Sequence, residues 1–297
     1  MADRQPRLRL VVGCGYLGER VARRWIAMGD PVMATTRRAD RAAHLGALGI
    51  TPCVIDVADA GQSWNEVFRD SGPPATVLWS VGFDRSAGGT HRDVHVLGLT
   101  RLLDALAAMT SPETPTRVIF SSSTGVWGDL QGGVVNEATP TTPSRDAGVV
   151  LVEAETRLRH HPAGPGTSLR FAGLYGPGRL PRTADLAAGR PIAADPESWL
   201  NLVHIDDAAA AVTTVADAAA PRPLYVVSDG HPVLRRDWYG RMAELTHSPA
   251  PQWNPEAPRS RGADKRVDSS LLRHDLGFRP AHPDPLASLE QLVRDSA

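Results

Sequence analysis

Cysteine is nearly absent from this chain. The two present, Cys14 and Cys53, are too few for a disulfide framework and follow no metal-ligand spacing, so no metal is expected. No apolar run is long enough to cross a bilayer. The charged N-terminus lacks the apolar stretch of a signal peptide, and a soluble cytoplasmic protein is the expectation. Neither sign of charge is in excess: 32 basic and 33 acidic residues leave a net charge of −1. Such balance gives no sign of a polyanion-binding surface, so neither nucleic acid nor membrane is an expected partner. Internal repeats and low-complexity segments are missing as well. What remains is 297 residues with 42% hydrophobic content, enough to bury a sizeable core.

That material is organised around residues 8–38. Leu8-Arg9-Leu10-Val11-Val12 reads as a strand, followed by Gly13-Cys14-Gly15-Tyr16-Leu17-Gly18 and a helical run to Met28. A second strand, Val32–Thr36, runs into Arg37-Arg38. Each glycine in this Gly-x-Gly-x-x-Gly turn has a separate task. Gly13 permits the tight turn, Gly15 leaves room for a pyrophosphate, and Gly18 lets the helix lie close to the sheet. The opening N–H groups of the helix, at Tyr16 and Leu17 onward, then face the phosphates with the positive end of the helix dipole behind them. The alternative is an ordinary strand-to-helix turn.

The end of the second strand speaks to cofactor choice. A chain that prefers NAD places a carboxylate there to accept from the ribose 2′-OH. Here Thr35-Thr36-Arg37-Arg38 occupies that place, and no carboxylate appears before Asp40. Guanidinium groups grip a 2′-phosphate that a carboxylate would repel. NADP is therefore expected, with NAD as the alternative. The competing reading makes Arg37 and Arg38 solvated residues that open the next helix.

Further along, strand and helix signals alternate. Strands are expected at Pro52–Val57, Thr76–Val81, Thr116–Ser122 and Thr167–Leu174, with a long amphipathic helix from about His91 to Met109 and another at Ala147–His160. The second half is less regular. It holds a short strand at Asn201–Ile205, an alanine-rich helix capped by Asp206, a strand at Leu224–Ser228, helices at Arg235–Leu245 and Ser269–Leu276, and an exposed loop at Ser248–Ala263. The pattern implies an α/β fold, a Rossmann-type doubly wound parallel sheet with a small C-terminal substrate lobe. The expectation is one domain over residues 1–297. Its core spans about 8–174 and the lobe mainly 175–297, with 201–229 returning to the core. Loops after Val12, Thr36, Val57, Val81 and Phe120 should line one cleft at the carboxyl ends of the strands.

Four segments carry a resemblance. They are the glycine turn, Ser121-Ser122-Ser123-Thr124-Gly125-Val126-Trp127-Gly128, Tyr175-Gly176-Pro177-Gly178-Arg179 and Val203-His204-Ile205-Asp206-Asp207. In this order they resemble the extended short-chain dehydrogenase/reductases of the nucleotide-sugar epimerase/dehydratase type. More narrowly, the chain resembles an atypical NAD(P)-binding subgroup of them, over Leu8 to about Leu289. The resemblance implies that Ser123 holds the substrate oxygen and that Asp56 and Val57 touch the adenine ring. It implies further that Arg179 binds a substrate phosphate. In the family a Tyr moves the proton and a Lys lowers its pKa while binding the nicotinamide ribose. At the matching positions stand Ala147 and Leu151, with Glu155 retained and an expected Asn replaced by His95. The whole helix holds no Tyr or Lys, and general acid–base catalysis is worth about 10²–10⁴-fold.

Substitute acid/bases are His95, Tyr175, His204 and Asp84. His95 lies on the helix nearest the cleft and its imidazole titrates in the useful range, although an interior helix residue fits equally well. Tyr175 follows the sixth strand, and its alternative is a packing residue under the Gly-Pro turn. His204 is expected to be structural beside the Asp206 cap, and Asp84 a solvated loop carboxylate. Trp127 walls the substrate pocket or simply packs. The reading is an NADP-binding oxidoreductase or epimerase/dehydratase-like enzyme with an atypical active site. Its partner would be a small hydroxyl or carbonyl substrate, such as a sugar nucleotide. The alternative is a non-catalytic NADP(H)-binding sensor or structural protein. A homodimer is compatible with either.

Overall fold

The Arg9–Val12 strand (β1) is buried on both faces, which is why it reads as a continuous apolar run beyond its first residue. The computed structural model describes residues 5–111, 113–163, 166–254 and 264–295. After β1 come α1 (Tyr16–Ala27), β2 (Val32–Thr36), α2 (Ala39–Ala47), β3 (Thr51–Val54), α3 (Trp64–Phe68) and β4 (Thr76–Trp79). A wide π-helical turn, Asp93–Gly98, leads into α4 (Leu99–Met109). Then follow β5 (Arg117–Ser123), β6 (Val134–Val135), α5 (Asp146–His160), β7 (Thr167–Phe171), β8 (Gly173–Tyr175), α6 (Thr183–Ala187), β9 (Trp199–Leu200) and β10 (Leu202–His204). The chain closes with α7 (Ile205–Asp217), β11 (Leu224–Val227), β12 (Val233–Leu234), α8 (Arg235–Leu245), β13 (Arg266–Val267), α9 (Ser270–Leu276) and α10 (Pro285–Arg294).

Seven strands form one sheet in the order β11-β7-β5-β4-β1-β2-β3. Adjacent pairs from β3 through β5 run parallel, with Val11 level with Ala34 on one side and Leu78 on the other. Strand order reverses between β1 and β4, the place where doubly wound sheets open a ligand crevice. This is the Rossmann-type fold expected from the alternation of elements. The expected strand at 167–174 is two strands, β7 and β8, because Gly173 and its neighbours leave the main sheet to pair with β10. Asp206 lies inside the first turn of α7 rather than capping it, and its N–H donates to His204 Nδ1 at 3.3 Å. Most of the expected loop at 248–263 lies outside the described residues.

The chain divides into two compact units: Met1–Ser122 with Arg145–Leu169 and Ala209–Tyr225, and Ser123–Ser144 with Arg170–Ala208 and Val226–Ala297. Of the span expected to form the core, residues 123–144 and 170–174 group with the second unit, while 209–225, within the expected returning segment 201–229, group with the first. In the first unit, Leu10, Val12, Val77, Trp79, Val118 and Phe120 of the sheet pack against Leu99, Leu102 and Leu106 of α4. The second unit has its own core, built on Tyr175, Leu202, Trp238, Met242 and Leu289.

One charged side chain is sunk beneath the first unit's sheet. Arg9 is 0% exposed, and its guanidinium donates to Asp30 Oδ2 at 2.8 Å, Thr76 Oγ1 at 2.6 Å and Asp217 Oδ1 at 2.8 Å. It also lies 5.3 Å from the Trp25 ring centroid. These contacts join β1, β4 and α7, elements separated by up to 208 positions in sequence. Removing one partner of a buried ion pair leaves a charge without compensation. Arg9→Met is expected to lower unfolding free energy by roughly 3–5 kcal/mol, read by urea denaturation. A loss below about 1 kcal/mol would mean that the network is screened like a surface pair.

Candidate functional site

Residues from four strand ends of the first unit enclose a cleft of about 600 Å³. Its walls include Gly13 and Gly15 after β1, Thr35 to Arg38 at the end of β2, Asp56 and Val57 after β3, and Ser80 to Asp84 after β4. Four of the five loops expected to share a cleft therefore do so. The loop after β5 belongs to the second unit.

The glycine turn is held from both neighbouring strands. Gly13 N–H donates to Thr35 Oγ1 at 2.9 Å and Cys14 N–H to the Thr35 carbonyl at 3.2 Å. From the other side Ser80 Oγ donates to the Gly13 carbonyl at 3.0 Å. Gly13 has φ +82°, and a Cβ there would lie 2.6 Å from the Val81 backbone. A Cβ on Gly18 would lie 2.7 Å from the Gly13 carbonyl and 2.8 Å from Val11, so the helix can sit this close only without one. At Gly15 a Cβ would meet nothing within 4 Å. Gly15 also opens α1 without a side-chain cap, so the opening N–H groups at Tyr16, Leu17 and Gly18 are presented as an anion-binding helix end. Cys14 is a buried filler whose thiol is pushed up to about 12 by burial. These features fit a dinucleotide's pyrophosphate.

The arginines beyond β2 line the cleft but are not idle. Arg37 donates to Asp84 at 2.9 Å, and Arg38 is paired with Asp40. Asp84, expected as a solvated carboxylate, is thus also an ion-pair partner. Its carboxyl is held below the usual range by Ser86 first and Arg37 second. A third arginine, Arg41, also lines the cleft; it donates to the Cys14 carbonyl at 3.0 Å and to Glu19 at 2.5 Å. The sequence reading passed over Arg41, Thr35 and Ser80. Arg41 lies in the first turn of α2, beyond the extended Arg37-Arg38 segment, and no local pattern in the sequence sets it apart. After β3, Asp56 closes an Asx turn by accepting from Ala58 N–H at 2.9 Å, and Val57 follows it in the wall.

The proton-transfer candidates fare unequally. His95 lies in the π-helical turn before α4, 7% exposed, with its ring edge-on to Phe120 at 6.3 Å and stacked over His91 at 6.0 Å. Its Nδ1 has no hydrogen-bond partner, and burial, aided by His91, pulls its pKa down to about 4. It is a neutral imidazole at pH 7. Ala147 and Leu151, at the positions where the resemblance leads one to expect a Tyr and a Lys, lie in α5, and Leu151 packs onto the first unit's core. Glu155 is buried and accepts from Ser122 Oγ at 2.6 Å.

In the second unit, Ser123 Oγ is half-buried and accepts from Gly125 N–H at 3.0 Å, which leaves its own proton to donate. Tyr175 does not keep the role proposed for it. It is 0% exposed, edge-on to His204 at 5.3 Å and Trp238 at 5.4 Å, and burial drives its pKa well above the usual phenol value despite the nearby Ser288. Such a phenol is a core residue and a poor proton carrier. Trp127 is likewise no pocket wall. It is 1% exposed, its indole donates to the Thr139 carbonyl at 3.1 Å, and Arg170 lies 4.8 Å over its ring. Arg179 is exposed on a tight turn where it and Gly176 exchange backbone hydrogen bonds, beside a small pocket of about 270 Å³. His204 is buried and structural, as expected, stacked on His282 at 3.8 Å. Among the described residues no group of three or more His, Cys, Asp or Glu could hold a metal ion.

The family model for NAD dependent epimerases/dehydratases matches residues 9–227, which take in the cleft and both flanking strands of its glycine turn. The chain belongs to the NAD-dependent epimerase/dehydratase family. It is 36% identical to Protein YeeZ of Escherichia coli (strain K12) over 199 residues, 67% of this chain and 69% of that protein. Among solved structures, a functionally unknown conserved protein from Silicibacter pomeroyi is 28% identical with a TM-score of 0.77, covering 98% of this chain and 99% of that one. MoeE5, solved in complex with UDP-glucose and NAD, shares the fold at 21% identity and a TM-score of 0.75, covering 97% and 99% of the two chains. No described helix of this family member is long and apolar enough to cross a membrane.

Two measurements test this geometry. Gly15→Val places a branched side chain in the open space of the cleft, so dinucleotide binding should fall at least about tenfold while thermal stability changes little. Undiminished binding in a calorimetric titration would reduce the turn to a plain connection. The second concerns Asp229, 1% exposed, whose Oδ1 accepts from His231 N–H at 2.9 Å while Oδ2 has no partner. Burial, reinforced by Asp207 and Asp284, pushes its pKa up to about 8. The folded protein therefore keeps a proton that the unfolded chain has lost by about pH 4. Stability should fall as pH rises between about 4 and 8, by up to about 1.4 kcal/mol per pH unit, and level off above that. Asp229→Asn should flatten this window and raise the melting temperature at pH 8; an unchanged pH profile would contradict the assignment.

Proposed function

We propose that the cleft binds NADP and that the protein is an oxidoreductase or epimerase/dehydratase-like enzyme with an atypical proton relay, acting on a hydroxyl or carbonyl group of a small substrate such as a sugar nucleotide. The observation that carries the cofactor half is the glycine turn, fixed by Thr35 and Ser80 and open at Gly15. The NADP preference is supported by Arg37 and Arg38 in the cleft wall and by a β2 that ends without a carboxylate. Asp84 and Asp40 hold Arg37 and Arg38 meanwhile, and a doubly charged 2′-phosphate competes for the same guanidinium groups. NAD and UDP-glucose bound to MoeE5 make a sugar nucleotide the substrate class to test first.

Hydride exchange is the chemistry a bound nicotinamide supplies. The chain's own contributions are to bind and orient the dinucleotide, to offer the Ser123 hydroxyl to a substrate oxygen and to keep His95 as a neutral hydrogen-bonding group. With Ala147 and Leu151 in α5, neither a phenol nor an ammonium is available there. That observation favours a second reading, a sensor that binds NADP(H) without turning it over.

Calorimetry should show NADP(H) binding at least about tenfold more tightly than NAD(H), with Arg37→Asp reversing the order. Equal affinities in the wild type would remove the NADP reading. Turnover is followed by NADPH absorbance against UDP-sugars, aldehydes and ketones. Slow turnover that is lost in His95→Ala and Ser123→Ala, yet rises in the Ala147→Tyr/Leu151→Lys double variant, is the enzyme's result. Tight NADP binding with no turnover across that panel is the sensor's.

A further inference from the structure

The cleft's adenine end is braced by an element that lends it few side chains. Val57, in the cleft wall, turns its carbonyl toward the start of α4. Arg101 Nη2 donates to that oxygen at 2.5 Å, from a side chain that is only half-buried. Gly98, the last residue of the π-helical turn, approaches the same oxygen so closely that a Cβ there would lie 2.6 Å from it. The same Cβ would also lie 3.3 Å from the Trp79 ring, so the space around Gly98 is tight. A regular α-helix from Asp93 onward would rotate its later residues relative to this register, and single π-turns inside α-helices recur at functional sites. The residue before Val57 is fixed as well. Asp56 N–H donates to Gln62 Oε1 at 2.7 Å, and the Asp56 carbonyl accepts from Asp59 N–H at 3.1 Å.

We infer that Arg101 and Gly98 are positioning residues for base recognition: by holding the Val57 carbonyl they set the Val57–Ala58 peptide, whose N–H donates to the Asp56 carboxylate, and so aim that carboxylate at the adenine. This rests on the dinucleotide reading above and adds to it residues that face away from the ligand. The chemistry is selective. An Asp56 carboxylate accepts from the exocyclic amine of adenine, whereas hypoxanthine presents a carbonyl oxygen at the same position and repels it. Base selectivity then depends on where Asp56 sits, and a brace that merely stabilised the fold would affect both bases alike.

The test compares calorimetric affinities for NADP and for nicotinamide hypoxanthine dinucleotide phosphate, using the intact protein. The wild type should prefer NADP, and Arg101→Met should narrow that preference by roughly fivefold or more, the effect of about one hydrogen bond. Arg101→Lys keeps a donor and should restore most of it. Gly98→Ala, which retains helix propensity but forces the Val57 carbonyl away, should act like Arg101→Met. Loss of affinity by the same factor for both dinucleotides, or no loss at all, would overturn the positioning role and leave the cofactor reading intact. A wild type that binds both without base preference would do the same. A wild type that binds neither dinucleotide would overturn the cofactor reading and this one with it.

Discussion

Close approach of bare backbone at the first strand-to-helix turn is the constraint on which the rest of the first unit depends. The Gly13 carbonyl lies 2.7 Å from where a Gly18 side chain would begin, so α1 starts directly above the sheet. That closeness aims the helix end into the crevice where strand order reverses between β1 and β4. Thr35 and Ser80 then fix the turn from the two strands beside it. Any side chain on Gly18 would push helix and sheet apart and move every wall of the cleft that α1 positions. Beneath the same sheet the Arg9 network ties β1 to β4 and α7.

Charge in the cleft is arranged as competition rather than as a bare positive patch. Arg37, Arg38 and Arg41 each have a carboxylate partner, in Asp84, Asp40 and Glu19. The Arg37–Asp84 and Arg38–Asp40 pairs are exposed and weak, so a phosphate can replace the carboxylates at little cost. The Arg41–Glu19 pair is more sheltered and also supports the Cys14 carbonyl, which suits a structural part more than a ligand grip.

Much of this was legible in the sequence because it depends on local backbone chemistry. Glycine spacing, strand periodicity and the Arg37-Arg38 pair all follow from residue types at fixed offsets, and β2 and α8 fall where expected at Val32–Thr36 and Arg235–Leu245. Side-chain burial was not legible. Tyr175 and Trp127 sit in motifs that suggest a ligand wall, yet long-range packing against Trp238 and Arg170 encloses them. The π-helical turn was hidden for a related reason: it brings Gly98 against the Val57 carbonyl, 41 positions earlier, and no local pattern marks it. Asp229 was passed over too, since nothing in its neighbouring residues shows that its carboxyl would be buried beside Asp207 and Asp284.

The central claim is that one cleft, built on the Gly13–Gly18 turn, holds NADP with its adenine at Asp56 and Val57 and its 2′-phosphate among the β2 arginines. A crystal structure of the protein grown with saturating NADP tests it most directly. The account predicts pyrophosphate over Gly15, adenine against Val57, and the 2′-phosphate drawing Arg37 away from Asp84. Dinucleotide density elsewhere, or an Arg37–Asp84 pair left intact beside a bound 2′-phosphate, would contradict it.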